Sequence, residues 1–400
     1  MSEQASSSLE TTASFKAAAD AAAARGDLKT ARGLLEQAVR LDSGDVSLWM
    51  SLAGCCRGLG QHDDAAAAVE GALRVDPRDF LALLMKASLI ERHGDAKLAA
   101  IAYGVALTQA PPDEGLNPAI RAAVARARDL HGRHIAGLET ALKAEVRQDL
   151  ASGSAVNRRR AEIFAERVVG RRRVYHQAPV QFHYPGLPEI EFHDREDFPW
   201  LAELEAATSD IRAELVEILR EDGDDLQPYV NYPDGTPLDQ WAELNRSPRW
   251  GAFHLYYDGR EVVWNAKRAP RTMAAIARLP QPHVQGRSPA AMFSVLQPKT
   301  RIPPHTGISN TRLVLHLPLI VPEGCGFRVG AETREWREGE AWVFDDTIEH
   351  EAWNESDQPR TILICDVWNP RLDEEERRAI TGLMAAMDRF NGSGPAGGQL

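Results

Sequence analysis

The chain has 400 residues, of which 44% are hydrophobic and 26% charged, and its formal net charge is −12. This composition excludes the disordered and fibrous classes, and the length predicts two or three domains. The acidic balance excludes a general nucleic-acid binder, because such proteins need clustered Lys and Arg to displace counterions.

The first residues, 1–11, are polar and are predicted to be disordered. They lack the basic segment and the apolar core of a signal peptide, and no apolar run reaches the roughly 18 residues of a membrane-spanning helix. The four cysteines have no CxxC spacing, which indicates neither a zinc site nor a disulfide framework. We therefore expect a cytoplasmic protein without a membrane span.

Residues 12–112 repeat with a period of 34 residues. Gly26, Gly60 and Gly94 occupy the same place in successive units, and two sets of three Ala residues follow the same spacing. Small residues let two helices approach closely, while Gly ends a helix. The pattern is typical of three tetratricopeptide repeats, about the minimum for a stable helical solenoid. We expect this array to bind a peptide or partner protein, with a rigid platform as the alternative.

The segment 113–180 keeps a helical pattern and is predicted to be a connector. Beyond Trp250 the apolar period becomes two, in short segments separated by Gly, Pro, Asn and Asp. This pattern predicts a jelly roll, a cupin-like double-stranded β-helix with flanking helices, over residues 181–371. A C-terminal helix with a flexible tail is predicted for residues 372–400. The expected fold class is α+β multidomain, an α-solenoid followed by the jelly roll.

One predicted strand, residues 311–320, indicates where a pocket could lie. Four Leu residues share one face of this strand, whereas Arg312, Val314 and His316 share the other. We expect the Leu face to be core and the second face to line a pocket.

Two histidines stand in distinctive settings at strand ends. Strands that are distant in sequence meet in a jelly roll, so His305 and His350 could bind one metal ion, and neutral imidazoles suit Fe(II) and similar ions. The common Fe(II) site adds a carboxylate two residues after the first His, but that position is Gly307. On spacing alone, a structural role for each histidine stays the alternative. Asp345 and Asp346 are predicted to cap a turn, with iron ligation as the alternative.

Arg360 opens a strand ten residues after His350. A guanidinium suits bidentate capture of a carboxylate at the base of an apolar barrel. His316 and Ser294, on two other strands, could add hydrogen bonds to the same anion. A surface ion pair is the alternative for Arg360.

A series of short motifs runs from Tyr184 to Pro370. They are Pro304-His305-Thr306-Gly307, Asn310-Thr311-Arg312-Leu313, His316-Leu317, Gly324-Cys325, Arg328-Val329-Gly330, Trp336-Arg337-Glu338-Gly339, Phe344-Asp345-Asp346, Glu349-His350-Glu351 and Asp366-Val367-Trp368. In this order the motifs resemble the aspartyl/asparaginyl β-hydroxylase family, some animal members of which also carry tetratricopeptide repeats ahead of the oxygenase domain.

The resemblance implies an oxygenase that depends on iron(II) and 2-oxoglutarate. Members of the family resemble one another in having Gly at the position of Gly307 and in binding iron through two histidines, here His305 and His350. The missing carboxylate therefore becomes an argument for the family.

The resemblance also implies the roles of four pocket residues. Arg360 and Ser294 would bind the distal carboxylate of 2-oxoglutarate, and His316 would lie near its iron-chelating end. Arg312 would bind an acidic or amide group of the substrate. One departure from the family pattern concerns this group, because Val314 stands where animal members have a second Arg.

The expected function is hydroxylation of an unactivated C–H group, the β-carbon of an Asp or Asn residue in a protein or peptide. The reaction would consume O2 and convert 2-oxoglutarate to succinate and CO2. The repeat array favours a protein or peptide substrate. One alternative is the same chemistry on a lipid acyl chain or a small metabolite. Another is a repeat scaffold with an inert barrel. The presence of His305, His350, Arg360 and Ser294 argues against this alternative.

Overall fold

The computed structural model describes residues 2–222 and 226–391. The chain divides into two compact units, residues 1–169 and 170–400, and each is described by itself. None of the described helices combines the length and the apolar character needed to span a membrane. The predicted flexible end of the chain, residues 392–400, lies outside the described residues.

Unit 1 is helical, and its helices are arranged as successive antiparallel pairs. Within the described residues they are α1 (Ser2–Ala24), α2 (Leu28–Leu41), α3 (Val46–Gly58), α4 (His62–Val75), α5 (Phe80–Arg92), α6 (Ala96–Leu107), α7 (Pro118–Asp149) and α8 (Ala155–Val168).

The turn within each repeat follows from its Gly. Gly26, Gly60 and Gly94 have φ values of +81°, +75° and +89°, a conformation that Gly adopts without steric cost. Asp27 and Asp95 follow two of these glycines and cap α2 and α6, each accepting a hydrogen bond from a backbone N–H in the first turn. The periodic Ala residues are all buried where the helices pack: Ala31, Ala38, Ala65, Ala72, Ala99 and Ala106.

The first helix differs from the sequence-based expectation. Helix α1 begins at Ser2, so it extends over most of the segment 1–11 that was predicted to be disordered. The second half of α1 is rich in Ala, the residue with the highest helix propensity, and extending an existing helix costs far less than nucleating one. The division between the two units falls inside the predicted connector, 113–180.

Unit 2 combines β-strands with flanking helices. Its described helices are α9 (Leu201–Ala206), α10 (Thr208–Asp222), α11 (Val263–Arg268), α12 (Pro270–Ile276) and α13 (Glu374–Asn391). Its described strands are β1 (Gln227–Pro228), β2 (Trp250–Tyr257), β3 (Arg260–Glu261), β4 (Ala291–Leu296), β5 (Thr300–His305), β6 (Arg312–Ile320), β7 (Cys325–Val329), β8 (Glu332–Arg334), β9 (Trp342–Phe344), β10 (His350–Asn354) and β11 (Arg360–Trp368).

The strands form two antiparallel sheets. In the larger sheet the order is β1-β2-β4-β11-β6-β9, with β3 paired to β2, and in the smaller sheet it is β5-β10-β7-β8. Helices α9, α10 and α12 cover one face of the larger sheet. A second core contains residues of both sheets, including Leu296 and Ile362 from the larger and Ile302 and Phe327 from the smaller. The predicted class, a helical solenoid followed by a β domain with flanking helices, is confirmed.

Strand β6 has the two-sided pattern that its sequence predicts. Leu313, Leu315, Leu317 and Leu319 belong to the core beneath the helices. The opposite face carries Arg312, Val314 and His316, which line a cavity between the two sheets. Alternation along this strand therefore places the polar groups in the cavity.

Gly71 in α4 provides a test of the packing in unit 1. A Cβ at position 71 would overlap the ring of Trp49, whereas a Cβ at Gly33 in α2 would meet nothing within 4 Å. We expect Gly71→Ala to lower the free energy of unfolding by about 1–3 kcal/mol, the usual cost of overpacking. The control Gly33→Ala should raise it by about 0.5–1 kcal/mol through helix propensity. Urea unfolding of the full-length chain, followed by circular dichroism, measures both; equal effects would contradict this packing.

Candidate active site

The two histidines singled out in the sequence face each other across a strand pair. Strands β5 and β10 are antiparallel neighbours, and their register places His350 opposite His305. The centroids of the two rings lie 4.1 Å apart. The pairing of the strands thus brings together two imidazoles that are 45 residues apart in the sequence.

Hydrogen bonds fix the tautomer of both rings. His305 Nδ1 lies 2.8 Å from the carbonyl oxygen of Pro303, and His350 Nδ1 lies 3.1 Å from that of Ile348. A carbonyl can only accept, so each Nδ1 donates and each Nε2 keeps a free lone pair. This is the arrangement in which a backbone carbonyl orients a histidine ligand for a metal.

Burial keeps the two rings uncharged. It lowers the pKa of His305 well below its usual value, with a further contribution from the neighbouring His350. Burial also lowers the pKa of His350 to about 4. Metal binding needs neutral imidazole, so the pair fits a divalent cation that accepts nitrogen ligands.

A third protein ligand is absent from the part of the chain that the structure describes, where no group of three or more His, Cys, Asp or Glu could hold a metal ion. Gly307 is the position at which a carboxylate would be expected. A Cβ there would overlap the carboxylate of Asp346, so a larger side chain does not fit while Asp346 keeps its place. The donor set fits iron(II) held by two imidazoles, with the other coordination positions open to water or substrate.

The charge of Arg312 is already compensated. Its Nη1 lies 3.0 Å from Asp346 Oδ2 and 3.3 Å from Asp366 Oδ1. Asp366 in turn accepts hydrogen bonds from the hydroxyl of Ser288 at 2.8 Å and the backbone N–H of Ala290 at 3.0 Å. Arg312 therefore lines the cavity, as expected of a substrate-binding residue, but it does not offer an unpaired charge.

Asp345 and Asp346 behave differently although they are adjacent. The carboxylate of Asp345 accepts hydrogen bonds from the backbone N–H of Thr347 at 2.9 Å and from its hydroxyl at 2.6 Å. This is the turn-capping arrangement predicted for the pair. Asp346 instead pairs with Arg312 inside the cavity.

Arg360 is a buried cation that has no counterion among the described residues. Its residue exposure is 1%, and its Nε and Nη1 have no hydrogen-bond partner among the described residues. Burial lowers the pKa of Arg360 to about 10, so it remains charged at neutral pH. The alternative of a surface ion pair is wrong, because the side chain is buried. An uncompensated buried charge is expensive, which indicates that an anion occupies this end of the cavity in the functional state.

Ser294 and His316 lie on the two strands that pair with β11, opposite Ile362 and Ile364, and they line the same cavity as Arg360. Trp250 Nε1 donates a hydrogen bond of 3.0 Å to Ser294 Oγ, which leaves the hydroxyl hydrogen of Ser294 free to donate to a ligand. His316 Nδ1 is buried without a partner in the described structure. Burial and the nearby Arg360 hold the pKa of His316 well below its usual value, so the ring is neutral.

Several cavity residues were missed by the sequence analysis. Trp336, Tyr229, Trp250 and Asp366 also line the cavity that contains the histidine pair and Arg360. For Asp366, a signal existed in the sequence, because it is a carboxylate inside an otherwise apolar strand. Tyr229 directly follows β1, a strand of two residues that is too short to produce a periodic pattern in the sequence. It therefore gave no such signal.

A second, outer cavity adjoins the first. The two share Tyr229, Met292, Arg312 and other lining residues. Much of the remaining wall is apolar: Phe182, Pro282, Val284, Ile308, Trp368, Ile380 and Met384. The other arginine of this wall, Arg287, is held by Asp388 through two hydrogen bonds of 2.7 and 2.6 Å. Among the described residues that line the outer cavity, every arginine therefore has a carboxylate partner.

Comparison with known proteins agrees with the division of the chain into a helical unit and a unit of strands with flanking helices. Residues 205–370 match the family model of aspartyl/asparaginyl beta-hydroxylase, and residues 22–89 match that of a tetratricopeptide repeat. The family resemblance predicted from the motifs is confirmed, with the repeats at the N-terminal end.

Two relatives illustrate the range of this similarity. Human aspartyl/asparaginyl beta-hydroxylase is 32% identical over 189 residues, which is 46% of this chain and 24% of that protein. Ornithine lipid ester-linked acyl 2-hydroxylase of Rhizobium tropici is 35% identical over 194 residues, 48% of this chain and 65% of that protein. The chain thus spans less than two thirds of the length of either relative.

A solved structure is similar to the repeats. The Arabidopsis OM64 TPR domain is 20% identical and covers 30% of this chain and 98% of that chain, with a TM-score of 0.27. The family model and the helix pairs identify the repeats.

The contact between Gly307 and Asp346 generates a prediction. We expect Gly307→Ala to lower the free energy of unfolding by about 1–3 kcal/mol, because the new methyl group overlaps the Asp346 carboxylate. In an Asp346→Ala background the same substitution should cost much less, since the overlapping atoms are gone. A double-mutant cycle measured by urea unfolding gives the coupling between the two sites. An equal cost in both backgrounds would rule out the steric explanation.

Proposed function

We propose that this chain is an iron(II)- and 2-oxoglutarate-dependent hydroxylase. The observation that carries the proposal is the presence in one cavity of two neutral imidazoles with free Nε2 atoms and of one buried guanidinium that has no counterion among the described residues. The first feature suits a metal ion and the second suits a carboxylate. The match to the aspartyl/asparaginyl β-hydroxylase family supports the combination.

The two histidines would hold the metal. His305 and His350 would ligate iron(II) through Nε2, while their Nδ1–H groups stay bonded to backbone carbonyls. When bound, iron(II) supplies the oxidative chemistry in which 2-oxoglutarate, O2 and a substrate C–H group give succinate, CO2 and the hydroxylated product. The protein's contribution is to bind and orient the reactants.

Arg360 and its neighbours would hold the cosubstrate. The guanidinium would pair with the distal carboxylate of 2-oxoglutarate, and the free hydroxyl hydrogen of Ser294 would donate to the same group. His316 would lie towards the other end of the cosubstrate. Buried apolar residues that line the cavity, such as Phe327 and Ile362, would separate this anion from solvent and so strengthen each of these interactions.

The kind of substrate is inferred from the charges of the cavity that are not already compensated by other side chains. The sequence favours the β-carbon of Asp or Asn in a protein or peptide. Because Asp346 and Asp366 already compensate Arg312, and Val314 supplies no second cation, we propose that the site takes an uncharged group and prefers the amide of Asn to the carboxylate of Asp. The repeats of unit 1 would bind a peptide segment of such a substrate or of a partner.

The apolar outer cavity favours a second candidate function. A relative named for hydroxylation of an ester-linked acyl chain shares 35% identity with this domain. A wall that includes Phe182, Ile308 and Met384 would accept an acyl chain as readily as an apolar peptide segment. An inert barrel is the weaker alternative, because the histidine pair and the unpaired Arg360 have no structural role that explains their retention.

Removal of one metal ligand tests the proposal. His305→Ala should abolish retention of iron(II) and the formation of succinate from 2-oxoglutarate. The loss should exceed the roughly 10- to 100-fold that follows from removing only the hydrogen-bond partner of a ligand. The exposed His283, replaced by Ala, is the matched control and should keep both properties. Succinate formation by His305→Ala at the parent rate would refute the assignment.

Matched peptides test the preference for an uncharged group. Peptides that differ only in Asn or Asp at one position are incubated with enzyme, 2-oxoglutarate and O2, and the gain of one oxygen is followed by mass spectrometry. We expect the Asn peptide to react at least about tenfold faster, the factor expected when the Asp carboxylate finds no free cation. Asp366→Asn leaves Arg312 with one carboxylate partner fewer and should therefore narrow the difference between the reaction rates of the two peptides. Faster reaction of the Asp peptide in the parent enzyme would contradict this preference.

A further inference from the structure

The inner cavity contains a buried donor that the site described so far does not use. Trp336 is 6% exposed, and its Nε1 has no hydrogen-bond partner among the described residues. The residue lines the same cavity as Arg360 and His316. Buried polar groups in folded proteins are nearly always paired, so an unpaired donor beside a cavity indicates a ligand.

Contacts with Arg360 and Phe327 hold the Trp336 ring in place. The guanidinium carbon of Arg360 lies 4.9 Å from the centroid of the ring, a cation–π contact. The ring of Phe327 stacks on it with a centroid distance of 5.4 Å. The Trp336 ring is therefore held against the cation that has no counterion in the described structure, so an anion paired with Arg360 would lie next to this ring.

A neighbouring tryptophan provides a contrast within the same aromatic cluster. Trp342 stacks on Trp336 with a centroid distance of 5.8 Å, and its Nε1 is also buried without a partner in the described structure. Trp342, however, is not among the described residues that line the cavity. The two indoles thus share a chemical environment but differ in access to a ligand.

We propose that Trp336 is a further cosubstrate-binding residue, whose Nε1–H donates a hydrogen bond to the distal carboxylate of 2-oxoglutarate. The ring also supports Arg360 by covering one face of the guanidinium. This inference rests on the proposed function, because it requires that the anion beside Arg360 is the cosubstrate. It assigns the N–H of Trp336 to the same carboxylate as Arg360 and Ser294.

The test compares two ligands that differ at the distal end. Calorimetric titration of the full-length protein, loaded with Zn(II) to prevent turnover, gives the dissociation constants of 2-oxoglutarate and of 2-oxobutyrate, which lacks the distal carboxylate. Trp336→Phe keeps an aromatic ring and removes the N–H. We expect it to weaken 2-oxoglutarate binding about tenfold, as for the loss of one hydrogen bond to a charged group, and to leave 2-oxobutyrate binding unchanged.

Trp342→Phe is the matched control and should change neither dissociation constant. If Trp336→Phe leaves 2-oxoglutarate binding unchanged, or weakens both ligands equally, the assignment of its N–H is overturned. If the parent protein binds 2-oxoglutarate no better than 2-oxobutyrate, the proposed function itself fails, which separates the two claims.

A second measurement uses the parent protein and does not depend on whether a Trp336 variant folds. In the parent protein loaded with Zn(II), the indole ¹⁵N–¹H signal of Trp336 should move when 2-oxoglutarate is added and stay in place when 2-oxobutyrate is added. Equal responses to the two ligands would overturn the inference.

Discussion

The uncompensated charge of Arg360 is the feature on which the account of this domain depends. Arg360 is the first residue of β11, whose neighbours in the sheet are β4 and β6. These two strands carry Ser294 and His316, which line the same cavity as Arg360. The surrounding core is apolar and the side chain is almost fully buried. A fold that keeps an unpaired guanidinium in such a place loses stability by doing so. The loss is understandable if an anionic ligand completes the site. The histidine pair in the same cavity suits a metal ion, so an anion that also chelates a metal, such as the proposed 2-oxoglutarate, fits the site.

Periodic features of the sequence were sufficient to predict much of the fold. The spacing of Gly26, Gly60 and Gly94 predicted the helix pairs, because each pair needs a left-handed turn between its two helices and Gly adopts that conformation readily. Alternation in β6 predicted which side chains enter the cavity, since successive residues of a strand point to opposite faces. The start of the N-terminal helix was predicted too late in the chain, because a polar segment can join a helix that an Ala-rich neighbour has already nucleated.

The candidate site could be predicted only in part, because its contacts depend on strand register and on loops. The family resemblance implied roles for His305, His350 and Arg360, and the structure places all three in one cavity. No local pattern reveals that Asp346 and Asp366 compensate Arg312, or that Trp336 keeps a free N–H beside Arg360. These contacts join residues that are distant in sequence. They also bear most directly on the substrate, since they decide which charges remain available for it.

The central claim is that two histidines and one arginine form a joint site for iron(II) and 2-oxoglutarate. Anaerobic addition of iron(II) and 2-oxoglutarate to the purified protein tests it most directly, because chelation of iron(II) by a 2-oxo acid gives a visible charge-transfer absorption. The account predicts that this absorption forms in the parent protein, requires a much higher concentration of 2-oxoglutarate in Arg360→Ala, and is absent in His350→Ala. Its absence from the parent, or its unchanged appearance in His350→Ala, would contradict the account.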